Sequence, residues 1–164
     1  VRMSRNKPIK RTTKIRRISK KPHKIAKDKA WKQFSQWVAY HGAIKTTGTL
    51  KQCRCYTCGK LFPAEGKGRI QAGHAMSGRN NSILFSEELV RPQCYGDNVW
   101  GAGKQDIFMA KLLEEHGDEK MCRLIREART LKQFTVDELG EIEQHYRQQI
   151  EELKKEHGYG NGEQ

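Results

Sequence analysis

Long apolar runs are absent from this chain of 164 residues, and none approaches the roughly 20 residues that a membrane span requires. No membrane partner is therefore expected. Hydrophobic residues make up 35% of the sequence and aromatic residues 8%, with a mean hydropathy of −0.89; such a composition fills a small core, not the interior of a large enzyme. Acidic residues are nearly missing from the beginning, where residues 1–29 contain Asp28 alone. That stretch also has no apolar run longer than two residues, so it offers neither the h-region of a signal peptide nor enough apolar surface to fold by itself. The expected compartment is the cytoplasm, where paired disulfides are rare. The five cysteines then need another role.

What is abundant is positive charge, and it is unevenly placed. The chain has 32 Lys and Arg against 19 Asp and Glu, a formal charge of +13, and a pI near 9.7. Residues 1–29 carry a net +12, residues 30–104 a net +6 and residues 105–164 a net −5. The charge thus reads as a disordered basic arm over residues 1–29, ahead of a near-neutral domain over 30–158 and a flexible end over 159–164. Such an arm holds polyanions by counterion release, which makes nucleic acid the expected partner. A solubilising tail or an import signal would share its composition.

Trp31, Phe34, Trp37 and Val38 form an apolar stripe that predicts a short helix over Ala30–Tyr40, with Gly42, Thr46, Thr47 and Gly48 loosening the chain after it. Pro63, Gly66 and Gly68 suggest a turn joining extended pieces at about 50–55 and 69–73. Beyond Gly103 the pattern turns helical. A helix carrying Ile107, Phe108 and Leu112 is expected to stop at Gly117 in a left-handed cap, and a second to carry Met121, Leu124 and Ile125, with Cys122 in the core beside them. A third should start at the capping box Thr135-Val-Asp-Glu138 and run about 22 residues to Gly158, with Leu139, Ile142, Tyr146, Ile150 and Leu153 on its apolar side. The fold class is α+β, a small irregular centre flanked by helices.

Cys55-Tyr-Thr-Cys-Gly-Lys60 has the form of a zinc knuckle. Two thiolates three residues apart on a tight turn reach one tetrahedral ion, and Gly59 supplies the positive φ that tightens it. Cys94-Tyr-Gly-Asp97 offers a second half that ends in a carboxylate. The expected structural Zn²⁺ ligands are Cys55, Cys58, Cys94 and Asp97, with Cys53 as the rival fourth, since residues 53 and 55 of an extended strand project to one face. Three cysteines buried without a metal remain the alternative. Between the halves, an extended piece ends in His74. An imidazole beside a bound cation is what a metal-dependent nuclease needs to take a proton from attacking water.

Taken together, Cys55-Tyr-Thr-Cys-Gly-Lys60, Ala72-Gly-His74, Gly78-Arg79-Asn80, Leu84-Phe85, Gln93-Cys94, Asn98, Gly103, Gly117 and Phe134–Leu139 with Tyr146 resemble the HNH endonucleases, and more closely the phage NinG (Rap) recombination nucleases. The likeness covers about residues 31–155. It implies a zinc-stapled ββα-metal centre of HNH or treble-clef type, and Mg²⁺- or Mn²⁺-dependent cleavage of branched DNA such as Holliday junctions or D-loops. A homodimer is implied where paired cuts are made, and the host cytoplasm where the gene is a phage's. His74 matches the family's general base. Asn98 matches the Asn after the second knuckle and would orient His74 or the cation.

Several positions depart from that pattern. Asp97 stands for the usual fourth zinc Cys, Gln71 for an Asp, Leu89 for an Asn, Trp100 for a His and Lys104 for an Asn. Either Asp97 and Asp106 serve the catalytic ion, or the site is rearranged, or the fold persists without cleavage. The expected DNA surface is the arm with Arg79, Arg91 and Lys104, plus Lys67 and Arg69 on the hairpin. Trp100 would stack on an unpaired base if exposed.

Overall fold

The computed structural model describes residues 21–76 and 81–158. The element order is α1 (Pro22–Thr47), β1 (Gln52–Arg54), β2 (Leu61–Pro63), β3 (Gln71–His74), a 3₁₀ turn (Asn81–Ile83), β4 (Val90–Gln93), a π turn (Gly96–Trp100), a second 3₁₀ turn (Ala102–Lys104), α2 (Gln105–Ala128) and α3 (Val136–His157). The class is α+β, as the sequence implies.

α1 is much longer than the apolar stripe. It begins with Pro22 in its first turn, where a missing N–H and a fixed φ cost nothing. Its start is tied to the far end of the chain by His23, whose Nε2 lies 2.8 Å from the Phe134 carbonyl. Residues 22–29 therefore belong to a helix and not to a disordered arm; residues 1–20, with the rest of that arm, lie outside the described residues, as does 159–164. At the other end the helix runs through Gly42, Thr46 and Thr47. The threonine hydroxyls donate to carbonyls one turn back, Thr46 to Gly42 at 2.7 Å and Thr47 to Ala43 at 2.9 Å, which keeps them within helical geometry. Gly48, at φ 70°, ends it.

The strands pair differently from the expected hairpin. β1 pairs antiparallel with β2, placing Cys53 opposite Phe62, and β3 pairs antiparallel with β4, placing Gln71 opposite Gln93 and His74 opposite Val90. The turn that reverses the chain is the knuckle itself. Cys55 and Lys60 close it with an N–H···O bond of 2.8 Å, and the Gly59 N–H reaches the Cys55 carbonyl at 2.9 Å with Gly59 at φ 73°.

Two cores result. In the first, Phe34 of α1 meets Tyr146 of α3 at 4.9 Å and Phe85 at 5.6 Å between ring centroids, and Val38, Ala43, Cys53, Ala72 and Val90 close in around them. The second joins Leu89 and Ala75 to Phe108, Leu112, Met121 and Leu124 of α2. α2 breaks at Gly117 as expected, but at φ 75° and ψ 166°, an extended glycine-only conformation and not a left-handed cap. Cys122 is exposed rather than part of the core. The capping box of α3 is present, with Glu138 N–H donating to the Thr135 hydroxyl at 3.2 Å and the Thr135 N–H to the Glu138 carboxylate at 2.7 Å.

Candidate metal centre and the strand behind it

The ligand atoms of Cys55, Cys58, Cys94 and Asp97 all lie within 4.8 Å of one another, and among the described residues this is the group placed to hold an ion. Two features bring the halves together: the knuckle between β1 and β2, and the helical turn after β4. The Tyr56 N–H donates to the Pro92 carbonyl at 2.8 Å, fixing the first half against β4. A tetrahedral Zn²⁺ with sulfur ligands at about 2.3 Å and an oxygen at about 2.1 Å has S···S edges of about 3.8 Å and S···O edges of about 3.6 Å. Cys58 and Cys94 sulfurs are 3.9 Å apart, and the Cys55 sulfur lies 3.6 Å from Asp97 Oδ2. The donor set fits zinc.

The electrostatics point the same way. Burial, followed by the nearby Cys55 and Cys94 sulfurs, pushes the Cys58 thiol up to about 12, and burial raises Cys94 as well. At Cys55 burial also raises the thiol, but the Cys58 amide, the Thr57 hydroxyl and the Cys94 and Thr57 amides outweigh it, and the net shift is downward. The Thr57 hydroxyl first, then the Cys58 and Cys55 thiols, hold Asp97 below its ordinary value, against its desolvation. Three thiolates and a carboxylate cannot all ionise at this separation without a cation among them. A dication held by the four ligands would supply it.

Cys53, the rival fourth ligand, lies outside the cluster. Its side chain is fully buried in the first core, its Sγ donates to the Arg54 carbonyl at 3.6 Å, and burial pushes its thiol up to about 11. The expected projection of residues 53 and 55 to one face does not bring them to one ion, because the chain leaves β1 at Arg54 and turns into the knuckle.

Behind the ligands stands a group of residues to which the sequence assigned no role at the site. The Thr57 hydroxyl donates to Asp97 Oδ2 at 2.6 Å and accepts from Gln93 Nε2 at 3.2 Å, while Gln93 also donates to the Gly103 carbonyl at 2.8 Å. Gln93 is fully buried. Thr57 inside the knuckle and Gln93 just before Cys94 are polar residues beside ligands, which is the one signal that would have found them.

His74 and Asn98 are not brought together. Alternation along β3 puts Gln71 and Gly73 on one face and Ala72 and His74 on the other. Asn98 Nδ2 donates to Gln71 Oε1 at 2.8 Å, on the face of the metal centre and at the opposite end of the strand from His74. His74 is 9% exposed; its ring stacks on Trp31 of α1 at 5.3 Å and 16°, and its Nε2 lies 3.3 Å from the Leu84 carbonyl. Since a carbonyl only accepts, Nε2 carries a proton in that contact. Trp100 is 81% exposed, and Leu89 is buried in the second core.

The basic residues expected to meet DNA are dispersed. Arg69 donates to Gln36 of α1 at 2.6 Å, and Arg91 pairs with Glu115 of α2 at 2.9 Å. Lys67 is exposed between β2 and β3, and Lys104 is exposed before α2. Arg79 lies outside the described residues. Among the described residues no helix is long and apolar enough to cross a membrane.

Compared with known protein families, residues 1–156 match the model of NinG, described as the bacteriophage lambda NinG protein. No curated protein and no solved structure matches the chain.

Proposed function

The chain belongs to the NinG family, and on that premise we propose that it is a structure-specific DNA endonuclease of phage recombination, acting on branched DNA such as a Holliday junction or D-loop. One observation carries the reading: β3 ends in His74 with its Nε2 against the Leu84 carbonyl, and the partner strand β4 runs directly into the metal centre. A backbone carbonyl on one ring nitrogen holds the imidazole in a fixed orientation, which general-base chemistry requires.

In this reading the His74 imidazole takes a proton from water as the water oxygen bonds to phosphorus and one P–O ester bond breaks. Mg²⁺ or Mn²⁺ would supply charge stabilisation for the phosphate and leaving oxygen. Asp97 is engaged by Thr57 in the cysteine cluster, so Asp106 is the carboxylate assigned to that cation. It stands in the first turn of α2 beside Gln105, whose Nε2 donates to the His74 carbonyl at 3.1 Å. Zinc in the cluster is structural, holding β4 and the knuckle in register. Asn98 does not orient His74; its role is to tie the second knuckle to Gln71. Paired cuts across a junction would call for a homodimer.

A second reading, a zinc-stabilised nucleic-acid-binding accessory protein without cleavage, is favoured by the burial of His74 under Trp31. The two separate on incubation with four-way junction DNA and Mg²⁺ or Mn²⁺. Cleavage by the wild type that is lost in His74→Ala supports the endonuclease. Binding without cleavage by either protein rejects it in favour of the accessory role. In both readings residues 1–20, with nine Lys and Arg and no acid, add non-specific hold, and removing them should flatten the salt dependence of binding.

A further inference from the structure

The flank of the knuckle holds a cavity of about 400 Å³ into which four basic side chains converge from four elements: Lys45 from the last turn of α1, Arg54 from β1, Arg91 from β4 and Lys111 from α2. We propose that this cavity is a docking site for a backbone phosphate of the nucleic acid, a role that rests on the DNA-binding reading above and gives it a place on the folded domain.

The wall is built and positioned. Tyr56, the residue after the first ligand cysteine, lies between two of the cations, with the Arg91 guanidinium carbon 5.7 Å and Lys111 Nζ 5.6 Å from its ring centroid. Most of the partners that hold the cations are neutral carbonyls. Arg54 donates to Gly59 at 2.9 Å, Lys111 to Tyr56 at 2.6 Å, and Arg91 to Glu87 at 2.6 Å, so these bonds fix geometry without cancelling charge. Among the described residues the single acid lining the cavity is Glu115, paired with Arg91. The Tyr56 hydroxyl is buried and has no hydrogen-bond partner of good geometry among the described residues.

Charge balance with the metal centre does not account for the cluster. Three thiolates and a carboxylate around a dication leave −2, whereas four cations against Glu115 leave +3. Lys45 and Arg54 are exposed, so an incoming anion can reach both from solvent. Two guanidinium forks and two ammonium groups are the set that phosphate recognition uses, and the cavity has room for a phosphate with its sugar.

The test neutralises the two exposed cations, Lys45→Gln with Arg54→Gln, where the glutamine at 54 keeps a donor for the Gly59 carbonyl. Binding to four-way junction DNA is measured as log K against log salt, beside the wild type and a control, Lys154→Gln with Lys155→Gln on α3, that removes the same charge elsewhere. Zinc content of each protein reports whether the knuckle is intact. The expected result is a slope shallower by about 0.9, the share of the one phosphate that the cavity no longer neutralises, with zinc unchanged and the control close to wild type. A wild-type slope in the Lys45/Arg54 variant, or an equal loss in the control, overturns the pocket while leaving DNA binding standing. A wild type that does not bind the junction overturns both.

Discussion

The Thr57 hydroxyl donates to Asp97 Oδ2 at 2.6 Å, and this bond links the two halves of the metal centre through residues neither half needs for its cysteine spacing. Thr57 can do so only because Gln93 donates to it from below, leaving the hydroxyl proton for the carboxylate. Asp97 is thereby presented in one orientation, with the oxygen that Thr57 holds 3.6 Å from the Cys55 sulfur.

Thr57→Val should therefore weaken zinc binding about 10- to 100-fold, the usual effect of losing an outer partner of a ligand. Gly73→Ala should do the same from a distance, because a Cβ at Gly73 would strike the amide end of Gln93. Cys53→Ser should leave zinc stoichiometry unchanged. Competition against a chromophoric chelator measures all three; a loss of zinc in Cys53→Ser would return that thiol to the ligand set.

Asn98 and His74 should behave differently on substitution. On the endonuclease proposal, loss of His74 removes the base and should cost about 10²- to 10⁴-fold in cleavage, whereas Asn98→Ala breaks a bond to Gln71 on the other face of β3 and should keep cleavage near the wild-type rate. Single-turnover cleavage of a four-way junction reads both. Equal losses would mean that the two side chains share one site.

Gly42 is the point of closest approach between α1 and β4. A Cβ there would stand 2.5 Å from Pro92 Cγ and 3.1 Å from the Cys53 sulfur, so Gly42→Ala should lower stability by about 1–3 kcal/mol through overpacking. Urea denaturation of the zinc-loaded protein is the measurement, and unchanged stability would show that α1 can slide away from the hairpin.

Acid should loosen the start of α3. The Thr135 amide and then the Thr135 hydroxyl hold Glu138 below its ordinary 4.5. A carboxylate depressed in the folded state contributes its full stability above the unfolded value and loses it as pH falls through the lower, folded one. Glu138→Gln should thus lower the thermal midpoint at pH 7 and converge with the wild type toward pH 3. A gap that stays constant across that range would show that the charge of Glu138 plays no part in the cap.

The sequence by itself determined what depends on near neighbours. The capping box and the apolar stripe of α3 follow from residues within one or two helical turns, and the knuckle from two cysteines and Gly59 on one turn. Asp97 and Cys94 were legible because a metal half-site is also local, four residues on a single turn. The start of α1 was marked by Pro22, but the run of positive charge around it outweighed that signal, since the hydrogen bond that anchors it, His23 to Phe134, spans 111 residues.

The tertiary structure decided everything that requires two distant segments to meet. Asp97 was the expected fourth ligand and Cys53 its rival along the chain, and what separates them is Pro92 drawing Tyr56 to β4 while Cys53 turns into the core. His74 and Asn98 stand close enough in sequence to suggest one site, yet strand alternation and the pairing of Gln71 with Gln93 put them on opposite faces. The four cations on the knuckle's flank come from residues 45, 54, 91 and 111, a spacing that carries no pattern. Only packing α1, β1, β4 and α2 around one knuckle makes them neighbours, because burial of the apolar faces fixes where the charged ends must emerge.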